Sequence, residues 1–458
     1  MSFNLDDTES HRLSQKVDDL MAQAESDLAD LVRIPSINFP GYDRKPVIDC
    51  ANAIADLFDQ AGATQVETVT GESGVPTVRA DLAGPPGAPT VVLYSHYDVQ
   101  PAGNAEKWET PAFEPTVRNG RMYGRGAADD KSGVITHLTC LRAISEQPPI
   151  GLRILLEGEE EHGGDFEEWP TDNPQAFSDV DAVVINDMGG VELGIPTFTT
   201  ELRGIAQGIV TIRTLPGPVH SGLYGGPTPN ALTAMIKLLA TLTDENDDCA
   251  IDGIPSGTWD GADVSEELFR NLAGLDAKAH LVGTGSLADR LISKPAVSVV
   301  GLDAPEVATA ATAIVPEARA KISVRIPAGT DWHEATTAIA RHIARHTPWG
   351  LQADFEPDMG AAGTRLDTSH DVYEVYSAAM ATAFGREAVR QGAGGSIPFV
   401  ANLVSAFPEL PIIATGAQEP SASIHAPNES VDLSELRRVA TAETLFLAGL
   451  GAVGGSTK

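Results

Sequence analysis

Apolar residues follow two different patterns in the first two hundred positions of the chain. At helical spacing they predict amphipathic helices over 8–32 and 47–62, and the break at Pro35 ends the first of these. A further helix is predicted over 132–146. Short apolar runs predict buried strands over 65–69, 77–81, 91–94, 152–157 and 182–186. Strands that alternate with helices in this way are typical of an α/β sheet covered on both faces.

The pattern changes after Arg203. KISVRI, which ends at Ile326, alternates as a half-exposed strand does, and the segment 244–294 is rich in loop residues. Strands are predicted over 204–213, 319–326 and 351–356, and helices over 229–243 and 331–346. This predicts a separate α+β domain, 204–364, inserted between two parts of the first domain, 1–203 and 365–458.

The last part of the chain returns to α/β character. Helices are predicted over 371–384 and 433–450, and a strand over 410–415. Two turn-rich segments separate them, a glycine turn over 392–398 and a loop over 421–430.

Charge and cysteine content narrow the possible partners and location. With 31 basic and 64 acidic residues the net charge is −33, which argues against nucleic acid or an anionic membrane as a partner. Cys50, Cys140 and Cys249 lack metal-type spacing, as expected of reduced thiols in a cytosol. The N-terminal segment has no apolar core of the signal-peptide kind, and no run is long enough to span a membrane. A cytoplasmic protein is expected.

Acidic residues and histidines follow several predicted strands at the point where each strand ends. His96 and Asp98 follow one strand, Asp187 follows another, and the glutamate run 157–161 follows a third. The adjacent pair Asp129 and Asp130 lies among glycines. Ligands bind at the carboxyl ends of such strands, and a divalent cation removes the repulsion between neighbouring carboxylates. These residues therefore predict a metal site, although a lone His-x-Asp also suits a capped strand end and a glutamate run also suits a solvated face.

The motifs together resemble the binuclear metal-dependent exopeptidases that include aminoacylase, glutamate carboxypeptidase and succinyl-diaminopimelate desuccinylase. They are most similar to the branch of cytosolic non-specific dipeptidases and carnosinases. The resemblance extends from about Ile34 to Phe446 and rests on these segments, in the family's order: SHYDVQPA, KWETPAFEP, YGRGAADDKSG, LEGEEEHGG, IND, VHSGLYGG, KISVRIP, GGSIP and HAPNES. It implies a zinc-exopeptidase-like catalytic domain with a mixed, mostly parallel sheet, and an inserted lid and dimerisation domain.

The resemblance also implies a set of site residues. Asp129 would bridge two divalent ions, one completed by His96 and Asp187 and the other by Glu161 and His425. Zinc is favoured, with manganese or cobalt as alternatives, because imidazole and carboxylate ligands suit these ions. Asp98 would orient His96. The family pattern Glu-Glu-x-Gly selects Glu160 as the general base, and family members have a cis peptide after the bridging aspartate.

Substrate-binding roles are implied for the inserted domain and the glycine turn. His220 would reach the neighbouring subunit's site in a homodimer and stabilise the oxyanion. Arg325 would bind the substrate's terminal carboxylate, and Gly394, Gly395 and Ser396 would line the same pocket. The chain departs from the family pattern at Ala313, Ala361, Gly392 and Ala393, which bears on substrate choice.

The expected function is hydrolysis of small dipeptides that have a free C-terminal carboxylate. Three alternatives remain open at this stage: an N-acyl amino acid amidohydrolase of the same family, a non-catalytic metal-binding scaffold, and a metal-independent hydrolase using Ser396. The last lacks a nucleophile-elbow sequence.

Overall fold

The computed structural model describes residues 5–395 and 397–454. The chain forms two compact units, the first from residues up to 200, 366–391 and from 402 onwards, and the second from 201–365 and 392–401. The segment 392–401, expected in the first domain, therefore belongs to the second unit. A hydrogen bond from Arg203 N to Ala393 O, 3.0 Å long, ties it there.

The helices follow the predicted pattern closely in the first unit. They are α1 Asp7–Val32, α2 Lys45–Gln60, α3 Lys131–Ile144, α4 Trp169–Asp172, α5 Ser221–Tyr224, α6 Ala231–Leu239, α7 Glu266–Ala273, α8 Trp332–His346, α9 Asp371–Phe384, α10 Pro398–Ala406 and α11 Leu433–Gly454. In the described residues no helix has the length and apolar character needed to span a membrane.

The strands include several that the sequence pattern did not predict. They are β1 Thr64–Thr70, β2 Pro76–Leu82, β3 Thr90–His96, β4 Thr116–Arg118, β5 Arg121–Tyr123, β6 Gly151–Glu157, β7 Ala182–Ile185, β8 Thr197–Leu202, β9 Gly204–Arg213, β10 Val219–His220, β11 Ala296–Leu302, β12 Ala313–Ile314, β13 Glu317–Ile326, β14 Ala353–Ala361, β15 Thr364–Arg365, β16 Val389–Ala393, β17 Ile412–Ala414 and β18 Ser430–Asp432.

A mixed sheet forms the centre of the first unit, in the strand order β1-β2-β6-β3-β7-β17-β8. The central strand β3 is parallel to both neighbours, with Leu93 opposite Ile154 of β6 and Val184 of β7. Because these strands are buried on both faces, they are nearly continuous in apolar residues. Helices α1, α2, α3, α9 and α11 cover the sheet and contribute most of its apolar core. This confirms the predicted α/β fold with a mixed, largely parallel sheet.

The second unit contains an antiparallel sheet in the order β11-β13-β9-β14, packed against α6 and α8. Strand β11 was not predicted, because it is an edge strand whose Val299, Val300 and Leu302 are exposed and show no clear alternation. Helix α6 is shorter than the predicted 229–243, and the loop-rich segment 244–294 contains helix α7.

Candidate metal centre

His96 lies at the carboxyl end of β3 and is completely buried. Its Nδ1 lies 3.3 Å from Asp98 Oδ1 and 3.2 Å from the Asp98 carbonyl oxygen. The other nitrogen, Nε2, lies 3.2 Å from Asp129 Oδ1 and 3.5 Å from Asp187 Oδ1. Bonding at Nδ1 leaves Nε2 directed at the two carboxylates, which is the arrangement that orients a histidine ligand.

Asp98 connects His96 to the glutamate segment that follows β6. Its Oδ1 accepts a hydrogen bond from Glu160 N at 3.2 Å, and its Oδ2 accepts one from Glu161 N at 3.1 Å. One buried carboxylate therefore fixes the backbone of two further candidate site residues.

Asp129 lies between the two histidines of the cluster. Its Oδ1 faces His96, and its Oδ2 lies 2.9 Å from His425 Nε2. The peptide bond to Asp130 is cis, as the resemblance implied. Asp130 also comes close to His96 and Asp187, but its oxygens accept hydrogen bonds from His96 N and from Gly133 N, where it caps α3. Asp129 is therefore the carboxylate free to face both imidazoles.

Glu161 and His425 approach Asp129 from loops. His425 Nε2 lies 3.2 Å from Glu161 Oε2, and 52% of the His425 side chain is exposed. Gln100 holds the glutamate with two hydrogen bonds, from its backbone N at 3.1 Å and from Nε2 at 2.8 Å.

Asp187 follows β7 and is joined to the cluster by a residue that sequence reasoning missed. Gln418 Nε2 donates to Asp187 Oδ1 at 3.1 Å and approaches Asp129 Oδ1 at 3.5 Å. The sequence gives no signal that Gln418 would bond to Asp187, because glutamine is mostly found exposed on protein surfaces.

The glutamates of the segment 157–161 separate into different environments. Glu157 is buried and accepts a hydrogen bond from the Tyr94 hydroxyl. Glu159 is also buried, whereas Glu160 extends towards the cluster, with its Oε2 4.0 Å from His96 Nε2.

The cluster contains more carboxylates than cationic groups, and this is visible in its pKa values. Burial raises the pKa of Asp187 to about 6 and that of Glu160 well above its usual range. Hydrogen bonds to Asp129 and Glu161 raise the pKa of His425 to about 10. Burial opposes a similar rise in the pKa of His96, but Asp187 and the bond to Asp129 outweigh it. A field that favours protonated imidazoles is also one that favours bound cations.

The donor set fits two divalent ions. The ligand atoms of His96, Asp130 and Asp187 lie within 4.8 Å of one another, as do those of Asp129, Glu161 and His425. We call His96 and Asp187 the strand-borne half of the centre and Glu161 and His425 the loop-borne half, with Asp129 between them. Imidazole nitrogens with carboxylate oxygens form the mixed donor set that zinc, manganese and cobalt accept.

The other predicted site residues lie in the second unit. His220 is exposed, at the N-terminal end of α5, and its Nδ1 accepts a hydrogen bond from Gly222 N at 3.0 Å. Arg325 is half-buried on β13, opposite Ile205 of β9. Gly394 and Gly395 follow β16 and are both exposed, and Ser396 lies outside the described residues.

Comparison with known families gives a match over most of the chain. Residues 92–448 match the model described as "Peptidase family M20/M25/M40". This range includes all of the candidate ligands described above.

Comparison with individual proteins gives relatives of similar length. The chain is 37% identical to a cysteinylglycine-S-conjugate dipeptidase of Corynebacterium striatum, over 80% of this chain and 82% of the relative. It is 25% identical to the Cys-Gly metallodipeptidase DUG1 of Saccharomyces cerevisiae, over 93% of this chain and 95% of the relative. The solved structure of Dug1p from the same yeast has a TM-score of 0.79 at 22% identity, covering 97% of this chain and 98% of that one. Human carnosine dipeptidase 1 has a TM-score of 0.78 at 22% identity, covering 97% and 99%.

Proposed function

The chain belongs to peptidase family M20/M25/M40 and is a metallo-dipeptidase, a hydrolase acting on peptide bonds, and we propose that it cleaves small dipeptides with a free C-terminal carboxylate. The single observation that carries the mechanism is the convergence of two imidazoles, His96 and His425, and two further carboxylates, Asp187 and Glu161, around Asp129. The sequence similarity to dipeptidases supports the substrate class.

We propose that Asp129 is shared by two divalent ions, that His96 and Asp187 complete one site, and that Glu161 and His425 complete the other. Zinc is the favoured metal, with manganese or cobalt as alternatives. Ions held there would supply Lewis acidity towards the scissile carbonyl and towards water.

Glu160 is the proposed general base. Its carboxylate lies 4.0 Å from His96 Nε2, and its backbone is fixed by Asp98, so its oxygens face the region between the ligands. In the proposed reaction Glu160 takes a proton from the attacking water, the peptide C–N bond breaks, and Glu160 returns the proton to the leaving amine nitrogen. Asp98 would act only by orienting His96 and the Glu160 backbone.

Substrate binding is proposed for residues of the second unit. Arg325 would bind the terminal carboxylate in a two-pronged contact, and Gly394, Gly395 and Ser396 would line the same pocket. His220 would donate to the oxyanion of a neighbouring subunit's substrate, which requires a homodimer through the second unit. His220 is exposed, as are Leu223 and Tyr224 beside it, and this supports the proposal that His220 contacts the neighbouring subunit of a homodimer.

We propose S-conjugates of Cys-Gly, and Cys-Gly itself, as the first substrates to test. The relative with 37% identity is named for the S-conjugate, and the yeast relative with 25% identity is named for Cys-Gly. We also propose a cytoplasmic location, since Cys50, Cys140 and Cys249 are all unpaired.

The test is hydrolysis by purified protein of a panel of dipeptides and N-acetyl amino acids. We expect turnover of Cys-Gly or its S-conjugates and at least tenfold lower kcat/KM for the corresponding dipeptide amide, which lacks the carboxylate. Preference for N-acetyl amino acids would replace the dipeptidase assignment with the amidohydrolase alternative.

The shared site is tested by mixing two inactive variants. Glu160→Gln and His220→Ala proteins should together recover partial activity through mixed dimers, because each dimer can combine an intact His220 with an intact Glu160. Absence of recovery, with subunit exchange demonstrated by mass or fluorescence, would contradict a role of His220 in the neighbouring subunit.

A further inference from the structure

We propose that the buried ion pair between Arg125 and Glu429 positions the loop-borne half of the metal centre, by holding the loop of His425 against the segment that carries Asp129. The inference rests on the proposed function only in taking Asp129 and His425 as metal ligands.

Glu429 makes four hydrogen bonds to a single segment of chain. Its backbone oxygen accepts from Gly124 N at 2.9 Å, and its Oε1 accepts from Ala128 N at 3.0 Å and Asp129 N at 3.1 Å. Its Oε2 accepts from Arg125 at 2.5 Å. Glu429 is fully buried and Arg125 is 1% exposed, so neither group exchanges these bonds for water. The carboxylate therefore contacts the backbone of one ligand, Asp129, from a position four residues beyond another, His425.

The His425 loop needs such an anchor because of its backbone conformation. Ser423, His425 and Asn428 have φ values of 56°, 58° and 65°, the left-handed region that side-chain-bearing residues rarely adopt. A hydrogen bond of 2.9 Å from Ser430 N to Ala422 O closes the loop. A conformation that is unfavourable residue by residue persists only where surrounding contacts hold it.

A third segment joins the other two. Asn428 Oδ1 accepts a hydrogen bond from Glu109 N at 2.8 Å, and Arg125 N donates to Ala112 O at 2.7 Å. The Arg125 guanidinium also lies 5.6 Å from the centre of the Trp108 ring, within the distance of a cation–π contact. These contacts give a physical role to KWETPAFEP, a motif that contains none of the candidate ligands.

In the strand-borne half Asp98 and Gln418 orient the side chains of His96 and Asp187, but strand pairing places the backbone. His96 and Asp187 follow β3 and β7, which pair in parallel up to Tyr94 and Ile185. A hydrogen bond from Asn186 N to Tyr94 O, 3.1 Å long, extends this pairing to the residue before Asp187. Asp129 would be shared by both ions, but of the other ligands only His425 lies in a loop that Glu429 holds. Weakening the ion pair should therefore affect the ion at His425 far more than the ion at His96 and Asp187.

The test is metal titration of the metal-free full-length protein, with Zn²⁺ as the probe in competition with a chromophoric chelator. Glu429→Gln keeps the side chain's size and one oxygen but loses the charge that faces Arg125. We expect two ions per chain in the wild type. The remaining oxygen can still accept from Ala128 N and Asp129 N, so in Glu429→Gln we expect one ion bound within about threefold of the wild-type affinity and the other about 100-fold more weakly.

The matched control is Asp27→Asn, which removes a comparable ion pair, Asp27 with Arg142 at 2.5 Å, far along α3 from the cluster. We expect it to lower the melting temperature while both ions bind as in the wild type. Asn428→Gly keeps the ion pair and tolerates the φ of 65°, but it removes the side-chain hydrogen bonds with Glu109 N and Lys107 O. It should weaken the same single ion about tenfold, which allows the test even if Glu429→Gln does not fold.

Binding of both ions by Glu429→Gln or, should that variant not fold, by Asn428→Gly within about threefold of the wild type would overturn the inference. Equal weakening of both ions would overturn it as well, because that is the result of general destabilisation. These metal titrations need no substrate. If the wild type lacked dipeptidase activity, the proposed function would be refuted, but the titrations would still test whether Arg125 and Glu429 position one of the two ions.

Discussion

In the strand-borne half of the centre the ligands follow directly from the sheet, whereas in the loop-borne half they depend on contacts between loops. His96 and Asp187 are buried and lie where paired parallel strands end. Glu161 is held by Gln100, and His425 lies in a loop with left-handed residues and a half-exposed side chain. Backbone pairing thus places the first half, with Asp98 and Gln418 orienting its side chains, whereas in the second half side-chain hydrogen bonds must hold the backbone as well.

Removal of the metal should have the largest effect, and it can separate the two halves. Dialysis against a chelator should lower the rate of Cys-Gly hydrolysis by more than about 10³-fold, and added Zn²⁺, Mn²⁺ or Co²⁺ should restore it. We expect the ion beside the exposed His425 to leave first, so elemental analysis during dialysis should pass through one ion per chain. Simultaneous loss of both ions would argue that the halves do not differ in this way.

Glu160→Gln should lower kcat by about 10³-fold, about 4 kcal/mol in activation free energy, because the amide cannot accept the proton. Both halves should retain their ions, since Glu160 is not one of the proposed ligands. The measurement is steady-state kinetics together with metal content, and unchanged turnover would refute the proposed base.

Ligand substitutions should show which half is the more robust. Asp187→Asn should weaken one ion about 100-fold and His425→Asn the other, with asparagine chosen because it tolerates the left-handed conformation of His425. Each variant should keep the second ion, as measured by titration. Loss of both ions from His425→Asn would mean that the strand-borne half cannot bind metal alone.

The smallest effect should come from the same substitution made in each half. Ser423→Gly should stabilise the protein by a few tenths of a kcal/mol, because glycine adopts the φ of 56° without strain. Ser95→Gly, in the interior of β3, should destabilise it by about 1 kcal/mol, because glycine in a strand loses packing and backbone entropy. Thermal unfolding of both variants measures the two changes in stability, which we expect to have opposite signs. Changes of the same sign would contradict the proposed difference in backbone strain between the two halves.

The buried strands and the helices that cover them could be predicted from sequence. Burial on one face of a helix gives apolar residues at helical spacing, and burial on both faces of a strand gives a short continuous apolar run. Helix α9 has the predicted bounds, and β3 extends the predicted 91–94 by only a few residues. Edge strand β11 and helix α10 were missed, since the first exposes its valines and the second begins at Pro398, which reads as part of a turn.

For the site, the residues that follow strands were predictable as a group, but their supports were not. Asp187 and His96 carry a signal because charged groups rarely follow buried strands without a reason. Glu429 belongs to the HAPNES motif and Gln418 to none, and in neither case does the sequence indicate the role. A polar side chain in a polar loop acquires such a role only when the fold buries it against a particular partner, Asp129 N for Glu429 and the Asp187 carboxylate for Gln418.

The first unit is assembled from segments far apart in the chain, and this has a consequence for synthesis. His96 and His425 meet at Asp129 although the whole of 201–365 lies between them in sequence. During translation the second unit can fold once residue 401 has emerged, but the cluster of candidate ligands is incomplete until His425 has left the ribosome. A translation product that ended before His425 would contain His96, Asp129 and Asp187 but would be expected to lack peptidase activity. Incomplete chains would therefore not hydrolyse peptides before synthesis is finished.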